Sequence, residues 1–134
     1  MIQLLLIWSD WGILFLRVVL GLIFIRHGLP KMKDLKATGE SFASMGFKPG
    51  RLWGALVAIL EVIGGLALIA GFFTQIVAAL FVIEFIVIIA AVKRKSGFVG
   101  GYEFDLLILA SAVLLVFLSG GSLSIDRLLG ILLW

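Results

Sequence analysis

Cysteine is absent from the 134 residues, histidine occurs once, at His27, and only 14% of positions are charged. Without cysteine there is no disulfide, no iron–sulfur cluster and no thiolate chemistry. One imidazole cannot ligate a haem on both faces, and zinc sites usually need more protein ligands than this chain offers. The chain is therefore expected to hold no metal and no covalently bound cofactor, and not to carry electrons by itself. The scarcity of charge excludes a soluble domain. Hydrophobic residues make up 63% of the sequence and the mean hydropathy is +1.26, whereas soluble domains sit nearer half apolar. The formal charge of +3 does not point to nucleic acid, because the positive residues gather beside apolar runs, where they set topology. The composition reads as one integral membrane domain over 1–134. Its opening, "MIQLLLIWSDWG", has neither a cationic start nor a small-residue cleavage site, and is expected to be retained.

Four apolar runs are present, read as helices near 11–27, 52–73, 76–93 and 103–119. Each is close to the length that crosses a hydrocarbon core. Helices satisfy their own backbone hydrogen bonds in lipid, and the runs lack the period-two alternation of a membrane barrel. The expected fold is all-α, a four-helix transmembrane bundle. Ser9 and Asp10 can cap the first helix, with Trp8 and Trp11 at the interface. "GFFTQ" makes a tight turn between the second and third spans, and "KRKSGFVGGYEFD" separates the third and fourth. The tail "SGGSLSIDRLLGILLW" is too short to cross again and reads as a half-helix capped by Ser124 or Ser122. In the long loop, Leu35, Phe42 and Met45 lie near one helical face, before Gly46 and Pro49. Asp34–Met45 is therefore expected to be a short amphipathic helix on the membrane surface.

Lysine and arginine counts orient the chain. The first loop holds Lys31, Lys33, Lys36, Lys48 and Arg51, the second basic loop Lys93, Arg94 and Lys95, and the opposite side only Arg127. The positive-inside rule places both basic loops in the cytoplasm and both termini outside.

Three ionisable groups fall inside the spans: Arg17, Glu61 and Glu84. Each costs about 2.5–3.5 kcal/mol or more at the bilayer centre if left alone. Helical rise puts them at roughly 9, 18 and 12 Å from the outer interface. Gly54, Ala58, Glu61, Gly65 and Leu68 recur at steps of three and four, so Glu61 lies on a small-residue face that lets helices approach closely. Arg17 shares a face with Gly21, Phe24 and Gly28. These placements predict a buried network with Arg17 between two carboxylates, one of which carries a proton to balance the charge. Such a network either binds a ligand or exchanges protons, or it only fixes helix register.

A second polar layer is expected at the cytoplasmic end. In "RHGLPK", Arg26, His27 and Lys31 stand where the first helix stops, with Gly28 and Pro30 turning the chain. Glu103 and Asp105 begin the fourth helix about 200° apart. One is expected to serve the helix dipole and the other to meet His27 or Lys31. His27 is either an interfacial residue bonded to backbone or a proton acceptor near neutral pH.

These motifs together resemble the DoxX family of small four-helix membrane proteins. "RVVLGLIFIRHGLPK" supplies Arg17, Gly21, His27, Gly28 and Lys31. "LEVIGGLALIAGFFTQ" supplies Glu61, Gly64, Gly65 and Gly71, and "GGSLSID" supplies Ser124 and Asp126. Gly120-Gly121-Ser122 departs from the family's Gly-Pro-Gly-like turn, and Glu84 has no counterpart in the pattern. The resemblance implies a small inner- or plasma-membrane subunit tied to a redox system such as a quinone-linked oxidoreductase.

The expected function is a non-catalytic subunit that binds a quinone or other small ligand, or docks an oxidoreductase. Arg17, His27, Lys31, Glu61, Glu84 and Glu103 are the candidate ligand-binding or proton-exchanging residues. Its surroundings are the lipid bilayer, a redox enzyme partner and, through the glycine faces, a homo-oligomer. The alternatives are a small proton- or solute-conducting transporter and a structural scaffold. A reporter that works only outside the cytoplasm is expected to be active when fused at Trp134. Activity there from a cytoplasm-only reporter would reverse the orientation.

Overall fold

In a computed structural model of the chain, residues 2–131 are described; the outer ends of the expected 1–134 domain, with the Trp134 fusion point, lie outside the described residues. The protein is all-α. Helices α1 (Ile2–Leu6), α2 (Ser9–Lys33), α3 (Leu35–Ser44), α4 (Gly50–Ala70), α5 (Thr74–Val87), α6 (Glu103–Leu118) and α7 (Ile125–Leu129) follow in chain order. Among the described residues, four stretches are long and apolar enough to cross a membrane: Ser9–Lys33, Gly50–Ala70, Thr74–Ser96 and Phe98–Leu118. Large apolar side chains such as Phe15, Ile63, Ile83 and Phe117 are left exposed along them. In water that surface would drive aggregation; in lipid it is the solvated side.

The first span outruns its expected end. Gly28 and Pro30 do not turn the chain, and α2 runs through both to Lys33. A proline inside a helix removes one backbone hydrogen bond and clashes with the preceding turn. Here the last turn is tied from outside: the Lys31 ammonium binds Glu61, and the Thr38 hydroxyl lies 3.1 Å from the Lys31 carbonyl. Lys31 and Lys33 also oppose the negative end of the helix dipole. The short helix expected over Asp34–Met45 is present, with those two residues as its caps. The Asp34 carboxylate accepts from the Ala37 amide at 3.0 Å.

Two compact units divide the chain. One comprises Gly21–Leu66 and the other Met1–Leu20 with Ala67–Trp134. In the first, α2 and α4 meet through glycines. A Cβ on Gly65 would lie 2.7 Å from the Gly21 carbonyl oxygen, and one on Gly28 would lie 2.8 Å from Glu61 Cβ and from Val62. Small residues allow helix axes to approach closely and gain dispersion contact that lipid does not supply. A similar approach brings α3 against the start of α4, where Gly39 packs on Arg51.

In the second unit, α5 and α6 form the antiparallel core. Ala78, Phe81 and Phe85 of α5 and Ile108, Ala112 and Leu115 of α6 are buried. The Gln75 amide donates to the Val116 carbonyl at 2.9 Å. The third span continues past Val87 through a π-helical turn over Ile88–Lys93 and a 3₁₀ turn over Arg94–Ser96. Val99 and Gly100 then break the helical path before α6. At the other end α4 stops at Gly71, with φ +74°. Gly71 to Phe73 reverse the chain into α5. After α6, Ser119–Ser124 leads into α7, and the cap is Ser124, whose hydroxyl accepts from the Arg127 amide at 3.2 Å.

Candidate functional site

Arg17 lies eight residues into α2 and has no exposed surface. A cation in an apolar helix must find acceptors inside the protein. The tail brings them. Arg17 Nη2 donates to the Leu123 carbonyl at 2.6 Å, and the charge acting on it from the same segment is that of Asp126. Nη1 occupies the space where a side chain on Gly71 would begin, with Ser124 Cβ 2.5 Å from that same point. Gly71 therefore answers two demands, a left-handed backbone and room for a guanidinium.

Asp126 is itself fully enclosed. Its Oδ1 accepts from the Phe73 amide at 2.6 Å and its Oδ2 from the Thr74 amide at 2.8 Å. Its own amide donates to the Gly71 carbonyl at 2.9 Å. Phe73, left-handed at φ 48° and ψ 41°, gives α5 no side-chain cap. The tail aspartate supplies the missing cap, placing negative charge on the positive end of the α5 dipole. Asp10 makes a parallel contact, accepting from the Ser122 amide at 3.0 Å. Residues from the starts of α2 and α5 thus fasten the segment from Ser122 to Asp126.

Several polar atoms in this cluster have no hydrogen-bond partner within the protein: Arg17 Nε and Nη1, Thr74 Oγ1 and Ser119 Oγ, all buried. Thr74 Oγ1 and Ser124 Oγ both flank the position a Cβ on Gly120 would take, at 2.9 and 3.0 Å. Ser119 sits at φ 60°, ψ −159°, a region used almost only by glycine and costing about 1–3 kcal/mol for other residues. Backbone strain and unpaired buried donors thus occur together here, and strained residues cluster at functional sites.

The unit over Gly21–Leu66 holds a different arrangement. Glu61 is buried, its side chain 3% exposed, and Lys31 Nζ reaches both its oxygens at 2.7 and 2.8 Å. His27 Nδ1 lies 2.7 Å from the Ile23 carbonyl. A carbonyl only accepts, so the ring proton sits on Nδ1.

The expected pairing of Arg17 with Glu61 is corrected on these contacts. Glu61 takes Lys31, while Arg17 takes the Leu123 carbonyl and the field of Asp126. Glu84 is buried on α5. At the head of α6, Glu103 Oε1 accepts from the Gly100 amide at 3.1 Å, and Asp105 lies 3.5 Å from Lys93 Nζ. The acidic partner foreseen for Lys31 from this pair is thus replaced by Glu61. Among the described residues no group of three or more histidine, aspartate or glutamate side chains is placed to hold a metal ion. Thr74, Ser119 and the Leu123 carbonyl were not foreseen. The available signal was depth: Arg17 lies near the start of α2, the side to which a tail following a fourth span returns.

Residues 12–94 match the DoxX family, a stretch that contains Arg17, Lys31, Glu61 and Gly71. The chain is 36% identical over 115 residues to a Bacillus subtilis (strain 168) protein named "Putative oxidoreductase CatD", covering 86% of this chain and 84% of that one. It is 34% identical over 126 residues to the inner membrane protein YqjF of Escherichia coli (strain K12), covering 90% and 94%. A third relative, the inner membrane protein YphA of the same organism, is 34% identical over 70 residues, 52% of this chain and 50% of its own. No solved structure matches the chain.

Gly71→Ala is expected to lower the unfolding free energy by at least about 1 kcal/mol, since the methyl group meets both a positive φ and the guanidinium. Gly12, with open space around it, is the control: Gly12→Ala leaves stability unchanged or raised. Thermal unfolding in detergent checks the pair.

Proposed function

The chain belongs to the DoxX family, and we propose that it serves as a non-catalytic membrane subunit that holds a quinone-like ligand for an oxidoreductase partner. Four apolar spans and inner membrane relatives make it a multi-pass membrane protein. The link to redox chemistry is supported by the relative named as an oxidoreductase. The observation that carries the ligand reading is the set of unpartnered polar atoms around Arg17. A quinone is neutral, apolar in its body and able only to accept hydrogen bonds at its carbonyl oxygens. Guanidinium N–H groups and hydroxyls without acceptors suit such a molecule. Because Asp126 already opposes the charge of Arg17, the cluster does not call for an anion.

When bound, the quinone supplies the electron-accepting chemistry and the partner supplies the electrons. Arg17 Nε and Nη1 would each offer an N–H to an acceptor oxygen, and the hydroxyls of Thr74 and Ser119 would offer further donors. Nε and Nη1 lie on different edges of the guanidinium, so they address separate acceptor positions. The apolar surroundings exclude water and strengthen each hydrogen bond. Glu84, a buried carboxylate in the same unit, is the proposed residue for proton exchange.

Titration of the purified full-length protein with a short-chain quinone, read by tryptophan fluorescence, is expected to show saturable binding. Arg17→Gln should weaken it at least about tenfold, the loss of a hydrogen bond to a charged donor. Thr74→Val and Ser119→Gly guard against a folding artefact. The first removes a buried hydroxyl without a partner and the second relieves a strained backbone, so both should keep or raise the unfolding temperature while weakening binding. Absence of saturable binding by the wild type, or unchanged affinity in all three variants, would falsify the reading.

A further inference from the structure

The unit over Gly21–Leu66 contains an open groove of about 290 Å³ that the quinone reading does not use. Pro30 and Lys31 from the last turn of α2 form one wall, and Ala37, Thr38, Ser41 and Phe42 of α3 form the other, with Asp34 between them. Its lining is mainly apolar. The lysine is held in place: two of its three N–H groups go to Glu61 Oε1 and Oε2, and its side chain remains 30% exposed. The third N–H is therefore available to an acceptor on the open side.

Charge around the groove is one-sided. From Arg26 to Arg51 the chain carries Arg26, Lys31, Lys33, Lys36, Lys48 and Arg51 against Asp34 and Glu40. Asp34 is committed as the α3 cap, accepting from the Ala37 amide. The Thr38 hydroxyl is committed to the Lys31 and Asp34 carbonyls. What remains is a fixed ammonium, an apolar trough and surplus positive charge, at the end of a helix long enough to cross a membrane. That end lies at headgroup level when the helix spans.

We propose that this groove binds an anionic phospholipid. The phosphate accepts from Lys31, and the glycerol and upper acyl chain lie against Pro30, Ala37 and Phe42. Lys33 and Lys36 add longer-range attraction, as basic groups near an anionic leaflet do. Glu61 acts as the positioning residue, because it fixes the ammonium without touching the lipid. On this proposal α3 lies at the membrane surface as the lipid-facing flap of the groove.

The test is lipid retention by the full-length protein, taken from nanodiscs of equal parts phosphatidylglycerol and phosphatidylcholine and read by native mass spectrometry. The wild type is expected to keep phosphatidylglycerol over phosphatidylcholine by about fivefold, the factor due to one well-placed basic group. Ala37→Trp fills the groove from an exposed position and should bring the ratio to parity with the unfolding temperature unchanged. Ser41→Phe, on the same wall, serves if the tryptophan variant does not fold. Equal retention by the wild type overturns the proposal. So does a preference that survives groove filling, since it would then come from diffuse charge on the loop. Quinone titration is read separately, so failure here leaves the Arg17 reading standing and the reverse holds too.

Discussion

A fully buried guanidinium on an apolar helix constrains everything around it. Hydrocarbon offers Arg17 no acceptor, and the α2 backbone has already spent its own carbonyls on helical bonds. The chain meets the demand by folding its tail inward, so that the Leu123 carbonyl takes one N–H and Asp126 provides the opposing charge. That same aspartate caps α5. The tail after the last span, the start of the third span and the outer part of the first are thereby linked through one ion and one carboxylate. Gly71, left-handed and without a side chain, is what leaves room for them. The donors left over from this arrangement are the ones proposed to meet a ligand.

Lys31 and Glu61 solve the same problem differently. Here the carboxylate is buried and the cation is partly exposed, so the pair sits at a boundary and presents its positive member outward. Glycines at positions 28 and 65 bring α2 and α4 close enough for the short contact to form. Breaking such a pair from one side leaves a buried charge and costs about 3–5 kcal/mol. This is why groove-filling changes are the better probe of the α3 surface than changes to Lys31. One polar cluster is the proposed ligand site and the other borders the proposed lipid groove.

The all-α class and the four spans were legible because apolar length is a coarse signal that packing does not overrule. The tail cap was legible as one of two serines, Ser124 or Ser122, because a short oxygen-bearing side chain before an apolar turn has few other uses, and the structure selects Ser124. Pro30 misled, because its local rule predicts a break and the compensating contact comes from Glu61, thirty residues away. The partner of Arg17 was misassigned for two reasons. Its main acceptor is a backbone carbonyl, which every residue has and no sequence distinguishes. Its counter-charge, Asp126, sat in a tail that was read as separate from the spans. Ser119 carries no residue signature of its strain, because serine is unremarkable until its dihedral angles are known.

Arg17 and the tail act as one unit, and a double-mutant cycle tests that most directly. Unfolding free energies of Arg17→Met, Asp126→Asn and the combined variant are measured in one detergent. Coupling of at least about 1 kcal/mol is predicted, with the double variant losing less than the two single losses together. Additivity within about 0.3–0.5 kcal/mol would contradict it, because the guanidinium and the carboxylate would then be stabilised independently.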